Sequence, residues 1–85
     1  MNRRRLIRRL RQGHLQNVSF AELCDLASGF GFRCDRVTGS HQVWLHRELG
    51  LLLSLQPRGG EAKPYQLREL LKLVERYNLR LEEKR

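Results

Sequence analysis

The chain is poor in the residues that define several large classes of protein. It has two cysteines, Cys24 and Cys34, too few for the disulfide framework of a small secreted domain. Cys24 falls on an apolar helix face and Cys34 in a strand pattern, so both read as small core residues. Together with His41 and His46 they lack the close spacing of a zinc knuckle. No run approaches the ~20 apolar residues of a membrane span. No apolar stretch follows the charged start as it would in a secretory leader, so the expected location is the cytoplasm. Acidic residues are few, nine against seventeen lysines and arginines. Asp25, Asp35 and Glu48 fall on different elements, whereas a two-metal nuclease needs carboxylates converging on one point. No phosphate-cradling P-loop occurs either. Neither a metal nor a cofactor is expected.

What is abundant is positive charge. The formal net charge is +8 and the pI about 10.8, a balance that raises affinity for polyanions through counterion release. Fourteen of the seventeen basic residues are arginine, whose planar fork fits phosphate oxygens better than an ammonium group does. Eighty-five residues make one domain with a thin core, one sheet face covered by helices. Nucleic acid, RNA first, is the expected partner.

The pattern of apolar residues divides the chain. Asn2–Arg11 sets Leu6, Ile7 and Leu10 on one helical stripe among six arginines, whose mutual repulsion leaves the helix in need of a partner. Ser19 and Glu22 form a capping box ahead of Phe20, Leu23, Cys24 and Ala27 at helical spacing. Gly29 and Gly31 then turn the chain. Phe32–Thr38 and His41–His46 alternate around the tight Gly39-Ser40 turn. Val43 and Leu45 point to one side of the second strand, and Gln42, Trp44 and His46 to the other. Leu51–Gln56 is a third strand, stopped by Pro57. Turns this short require antiparallel neighbours. Pro57–Lys63 reads as a mobile polar loop. Pro64 opens a last helix with Leu67, Leu70, Leu71 and Val74 inward and Tyr77 extending the stripe, and Asn78 closes it. The expected fold is α+β, in the order α-α-β-β-β-α, with a three-stranded antiparallel sheet and helices on one face. It divides into a basic N-terminal helical extension (1–18), a folded domain (19–79) and a charged, fraying tail (80–85).

One segment has the makings of a site. A Gly39-Ser40 turn lets backbone approach a phosphate and offers its amides to an anion. His41 follows at the first position of the next strand, with Arg36 on the strand before, and an imidazole in such company suits a general acid or base. A histidine satisfied by a backbone carbonyl at a strand start is an equally good reading of the residue alone. His46 and His14 read as surface residues. Trp44 and Tyr65 could each stack on a base or cover the core.

A helix ending in Gly29-Phe30, a strand carrying Arg36, then Gly39-Ser40-His41, two further strands and an amphipathic helix resemble the HicA (YcfA-like) toxins of bacterial toxin–antitoxin pairs. The resemblance runs from about Ser19 to Asn78, and Gly39-Ser40-His41 is its specific part. It implies a fold like the double-stranded-RNA-binding domain, a ribosome-independent endoribonuclease acting on mRNA, and a HicB-type antitoxin covering the active site. The catalytic histidine of the family falls on His41. Many members have histidine where this chain has Gln42, and another where it reads Gln56-Pro57. With no metal site in the pattern, the ribose 2′-OH becomes the expected nucleophile. His41 would move its proton or that of the leaving oxygen, Arg36 and Lys63 would steady the phosphorane, and the Gly39 and Ser40 amides would lie near the phosphate. Tyr65 is a candidate second group. A non-catalytic RNA-binding module, or a basic face made for an acidic protein, would account for the same charge.

Overall fold

A computed structural model describes residues 2–82. The elements are α1 (Arg3–Arg11), α2 (Phe20–Gly29), β1 (Phe32–Thr38), β2 (His41–His46), β3 (Leu51–Leu55) and α3 (Pro64–Tyr77). The strands form an antiparallel sheet in the order β1-β2-β3, the α+β arrangement expected.

α1 is held by its surroundings. The Asn2 side chain accepts from the Arg5 N–H at 3.0 Å, which occupies one of the free donors of the first turn. Leu6, Ile7 and Leu10 are buried in the same core as α2, α3 and the sheet. Arg3 donates to both carboxylate oxygens of Asp25, each at 2.9 Å. The arginine-rich helix thus finds its partner within the domain. α2 opens with the capping box: Ser19 N–H donates to Glu22 Oε1 at 2.9 Å and Glu22 N–H to Ser19 Oγ at 3.0 Å. Leu23, Leu26 and Ala27 are fully buried.

In the sheet, Phe32 pairs with His46, Cys34 with Trp44, and Trp44 with Leu53. Phe32, Trp44, Leu53 and Leu55 are buried and mark the face under the helices. Two expectations need correction here. The alternation along β2 holds, but Trp44 and His46 point inward while Val43 and Leu45 remain partly exposed. His46 is therefore a core residue, 7% exposed. Its ring meets Phe32 edge-on at 5.4 Å, and its Nδ1 accepts from Leu49 N–H at 3.3 Å. Cys34, in contrast, is exposed, because along β1 only Phe32 is buried. Beyond that point the edge strand projects past its cover, and its register shifts between Cys34 and Arg36, as at a β-bulge.

β3 ends one residue earlier than expected, at Leu55. The loop after it is stitched down rather than free. Phe20 N–H donates to Gly60 O and Ala62 N–H to Val18 O, both at 2.9 Å, and Ala62 is buried. α3 begins at Pro64 and ends at Asn78, which is left-handed with φ 51° and ψ 49°. Leu67, Leu70 and Val74 are buried, but Tyr77 is 41% exposed, past the end of the core. There it lies under the Arg76 guanidinium, 5.8 Å away. The start of the tail is also anchored. Leu79 and Leu81 pack against the core, and Glu82 N–H donates to Gly29 O at 2.6 Å. Residues 83–85 of the expected tail lie outside the described residues. No helix among the described residues is long and apolar enough to cross a membrane.

Candidate functional site

The site is assembled around the β1–β2 turn. Thr38 pairs with His41 across two residues, and Gly39 has φ 62°. Positive φ at the first central residue is the II′ pattern, whose twist matches that of the strands and which favours glycine at that position. The turn delivers His41 to the first position of β2, exposed.

Register determines which residues share His41's side of the sheet. Paired residues point the same way and alternate along each strand. His41, Val43 and Leu45 therefore line the face away from the helices, with their partners Thr38, Arg36, Ser54 and Leu52. Arg36 pairs with Val43, two positions from His41. That makes Arg36 a diagonal same-face neighbour of His41, a relation that spans ~7–8 Å and lies within reach of long side chains. Its guanidinium is well exposed, with Nε 3.8 Å from Asp35 Oδ2. His41 and Arg36 thus share an open face, and Gly39 and Ser40 form the turn at its edge.

A hydrogen-bond chain supports that turn from the interior. Ser40 Oγ accepts from Gln56 Nε2 at 2.9 Å. The Gln56 carbonyl accepts from Gln66 Nε2 at 2.7 Å, and the Tyr65 hydroxyl lies 3.3 Å from the same nitrogen. Gln66 is buried in α3, and its Oε1 has no partner among the described residues. Gln56 directly follows Leu55, which pairs with Gln42, so the next step of the register sets Gln56 beside His41.

In the sequence Gln56 stands out only as a departure from the family pattern, and Gln66 carries no functional motif. A signal for Gln66 existed: a polar residue one turn before Leu70 sits on the apolar stripe of α3. Gln42 faces the helix side, where its Oε1 accepts from Trp44 Nε1 at 3.0 Å. A side chain at position 42 is therefore on the opposite face from His41.

Lys63 is the residue before α3, half-buried and without a side-chain cap bond. Among the described residues no hydrogen bond or ion pair joins it to His41, Arg36 or Ser40. It shares the start of α3 with Tyr65, which the chain of hydrogen bonds links to the turn. No three histidine, cysteine or acidic side chains gather into a metal-binding group among the described residues. Asp25 is held by Arg3 on α2, and Asp35 lies beside Arg36 on β1.

Residues 20–75 match the family model described as HicA toxin of bacterial toxin–antitoxin. The match takes in α2, the whole sheet and most of α3, and leaves α1 outside it. Comparison with curated proteins and with solved structures found no match.

Proposed function

Since the chain belongs to the HicA toxin family of bacterial toxin–antitoxin systems, we propose that it is an endoribonuclease that cleaves mRNA without a metal, using His41 as general acid or base. The observation that carries this reading is an exposed imidazole at the edge of an open sheet face, beside a glycine turn and diagonal to an arginine.

The chemistry follows from the substrate. In RNA the 2′-oxygen can attack the adjacent phosphorus, so the nucleophile comes with the ligand. As the new P–O bond forms, the 2′-OH loses its proton. As the old bond breaks, the departing 5′-oxygen takes one, which leaves a cyclic phosphate. One imidazole positioned for either transfer contributes ~10²–10⁴-fold. Arg36 faces the charge that builds on the phosphorane, and the Gly39 and Ser40 amides border the same position. Lys63, the residue before α3, is assigned the role of adding positive charge. Tyr65, whose hydroxyl accepts from Gln66 Nε2, is the candidate second proton carrier.

The natural cover for this face is a HicB-type antitoxin, in the cytoplasm where both act. Leu52, on this face through its pairing with Leu45, is 61% exposed, apolar surface of the kind a protein partner buries. An acidic or mixed-charge antitoxin would associate fast and in a salt-sensitive way.

Purified chain should cut RNA in the presence of EDTA, and a 2′-deoxy nucleotide at the scissile position should block the cut. His41→Ala should lose cleavage but keep salt-dependent RNA binding. Cleavage abolished by EDTA, or undiminished in His41→Ala, would overturn the mechanism. Binding without any turnover by the wild type would leave a non-catalytic RNA-binding module.

A further inference from the structure

Helix α1 stands outside the family match, yet it carries the densest positive charge in the chain. Leu6, Ile7 and Leu10 are buried, while Arg4, Arg5, Arg8, Arg9 and Arg11 are exposed. Arg4, Arg8 and Arg11 recur at the spacing that places side chains on one flank of a helix. With Ile7 and Gln12 they line a shallow cavity of about 340 Å³.

No acidic residue lies on the helix itself. Glu75 reaches only Arg11, at 3.6 Å with both side chains more than half exposed, a weak kind of pair. Arg5 and Arg8 make no ion pair or side-chain hydrogen bond among the described residues.

We propose that this flank of α1 is a second RNA-backbone site, separate from the His41 face. It would hold phosphates upstream or downstream of the one being cleaved, and it rests on the reading that the chain acts on RNA. Guanidinium forks bordering a shallow groove suit phosphates. A protein partner is anchored through well-packed, desolvated pockets, and the large exposed apolar residues that would pack one, Val37, Leu49, Leu52, Tyr65 and Tyr77, all lie off α1. Lipid is disfavoured because the apolar side of the helix is sealed in the core.

The position of the site makes the proposal specific. α1 packs on the helix side of the sheet and His41 faces away from it, so both layers separate the two surfaces. The smallest extent of the molecule is 26 Å. Five stacked nucleotides at ~3.4 Å each cover only ~17 Å. A five-nucleotide RNA fits on either surface alone, whereas one of about thirty nucleotides, roughly 100 Å at that rise, is long enough to engage both.

The test uses the full chain, with wild type compared with the Arg8→Gln, Arg11→Gln double variant. The probes are RNAs of about five and about thirty nucleotides, 2′-O-methylated for binding and unmodified for cleavage, with thermal melts to check the fold. Losing two phosphate contacts should lower the slope of log K against log salt by ~1.4, which is ~25-fold in affinity at 0.1 M salt. That loss is expected for the long RNA, with cleavage of the short one unchanged. Unaltered affinity and slope on the long RNA would overturn the site. So would intact RNA binding with loss of binding to a co-expressed acidic antitoxin, because the flank would then serve a protein. If the wild type cuts neither RNA but the variant still loses the long one, the α1 site stands and the nuclease reading fails.

Discussion

Strand β2 carries a histidine at each end, and the two occupy opposite surroundings. His41 stands exposed beside a glycine turn on the open face. His46 is buried, set edge-on against Phe32 and accepting from the Leu49 N–H. Five residues is an odd spacing, so alternation alone sends them to opposite sides. What differs besides the side is the cover. β1 runs past its cover toward the turn with everything after Phe32 exposed, whereas β3 stays covered as far as Leu55. The same side chain is packing material on the roofed face and solvent-accessible on the open one.

Exchanging each histidine for alanine should separate the two roles. His41→Ala is expected to cut cleavage by ~10²–10⁴-fold with a change in stability within ~0.5 kcal/mol, as for an exposed position. His46→Ala should do the reverse, costing about 2–3 kcal/mol for a buried ring removed from a packed site, while the folded fraction keeps its cleavage rate. Denaturant melts alongside single-turnover cleavage check both. A fully folded His46→Ala protein without activity would break the comparison.

The roofed face can be strained further through Gly31. Its φ is +97°, and a Cβ there would lie 2.9 Å from His46 Nε2 and 3.1 Å from Cδ2. Gly31→Ala should destabilise by about 1–3 kcal/mol, from backbone strain and overlap together. Combined with His46→Ala the overlap disappears, so a double-mutant cycle should show coupling of ~1 kcal/mol. Behind the turn, Gln66→Leu removes the donor to the Gln56 carbonyl and also the buried Oε1 that has no partner among the described residues. The two effects oppose each other in stability, so the melt should move by less than ~1 kcal/mol. Cleavage should nevertheless slow by about fivefold, the rate equivalent of ~1 kcal/mol of positioning. A kcat effect without a change in melting identifies Gln66 as a positioning residue.

Local signals made the element order readable. The Ser19–Glu22 box, the Gly39-Ser40 turn, Pro64 and Asn78 each act through the backbone of their own neighbourhood, and each marks a boundary found in the structure. What escaped depends on partners distant in sequence. Alternation in β2 defines two faces but does not say which is inward. Phe32 and Leu53, paired across the sheet with His46 and Trp44, decide it. Cys34 and Tyr77 fit apolar patterns whose cover ends before it reaches them. The loop from Pro57 has a polar composition, and only its bonds to Val18 and Phe20 show that it is tied down. His41 and Arg36 were legible as neighbours because one hairpin joins them. The Gln66–Gln56–Ser40 chain spans three elements and has no local signature.

The two cysteines repeat the contrast between roofed and projecting regions at smaller amplitude. Cys24 packs against the core from α2, while Cys34 is exposed on β1. Burial pushes the Cys24 thiol up to about 11, with a further contribution from Cys34. At pH 8 a limiting dose of iodoacetamide should therefore modify Cys34 first, because the thiolate is the reactive species and Cys24 holds its proton. Peptide mass mapping reads the site, and preferential labelling of Cys24 would contradict its burial. The same shift has a signed effect on stability. Above the ordinary cysteine value of 9.0 the unfolded chain releases this proton while the folded chain retains it until about 11. The unfolded state then binds fewer protons, so stability falls as pH rises through that window. Partial exposure of Cys24 screens the effect and keeps it small. Groups that titrate alike in both proteins cancel when wild type is compared with Cys24→Ala. Between pH 9 and 11 the denaturant midpoint of the wild type should therefore fall more steeply than that of the variant.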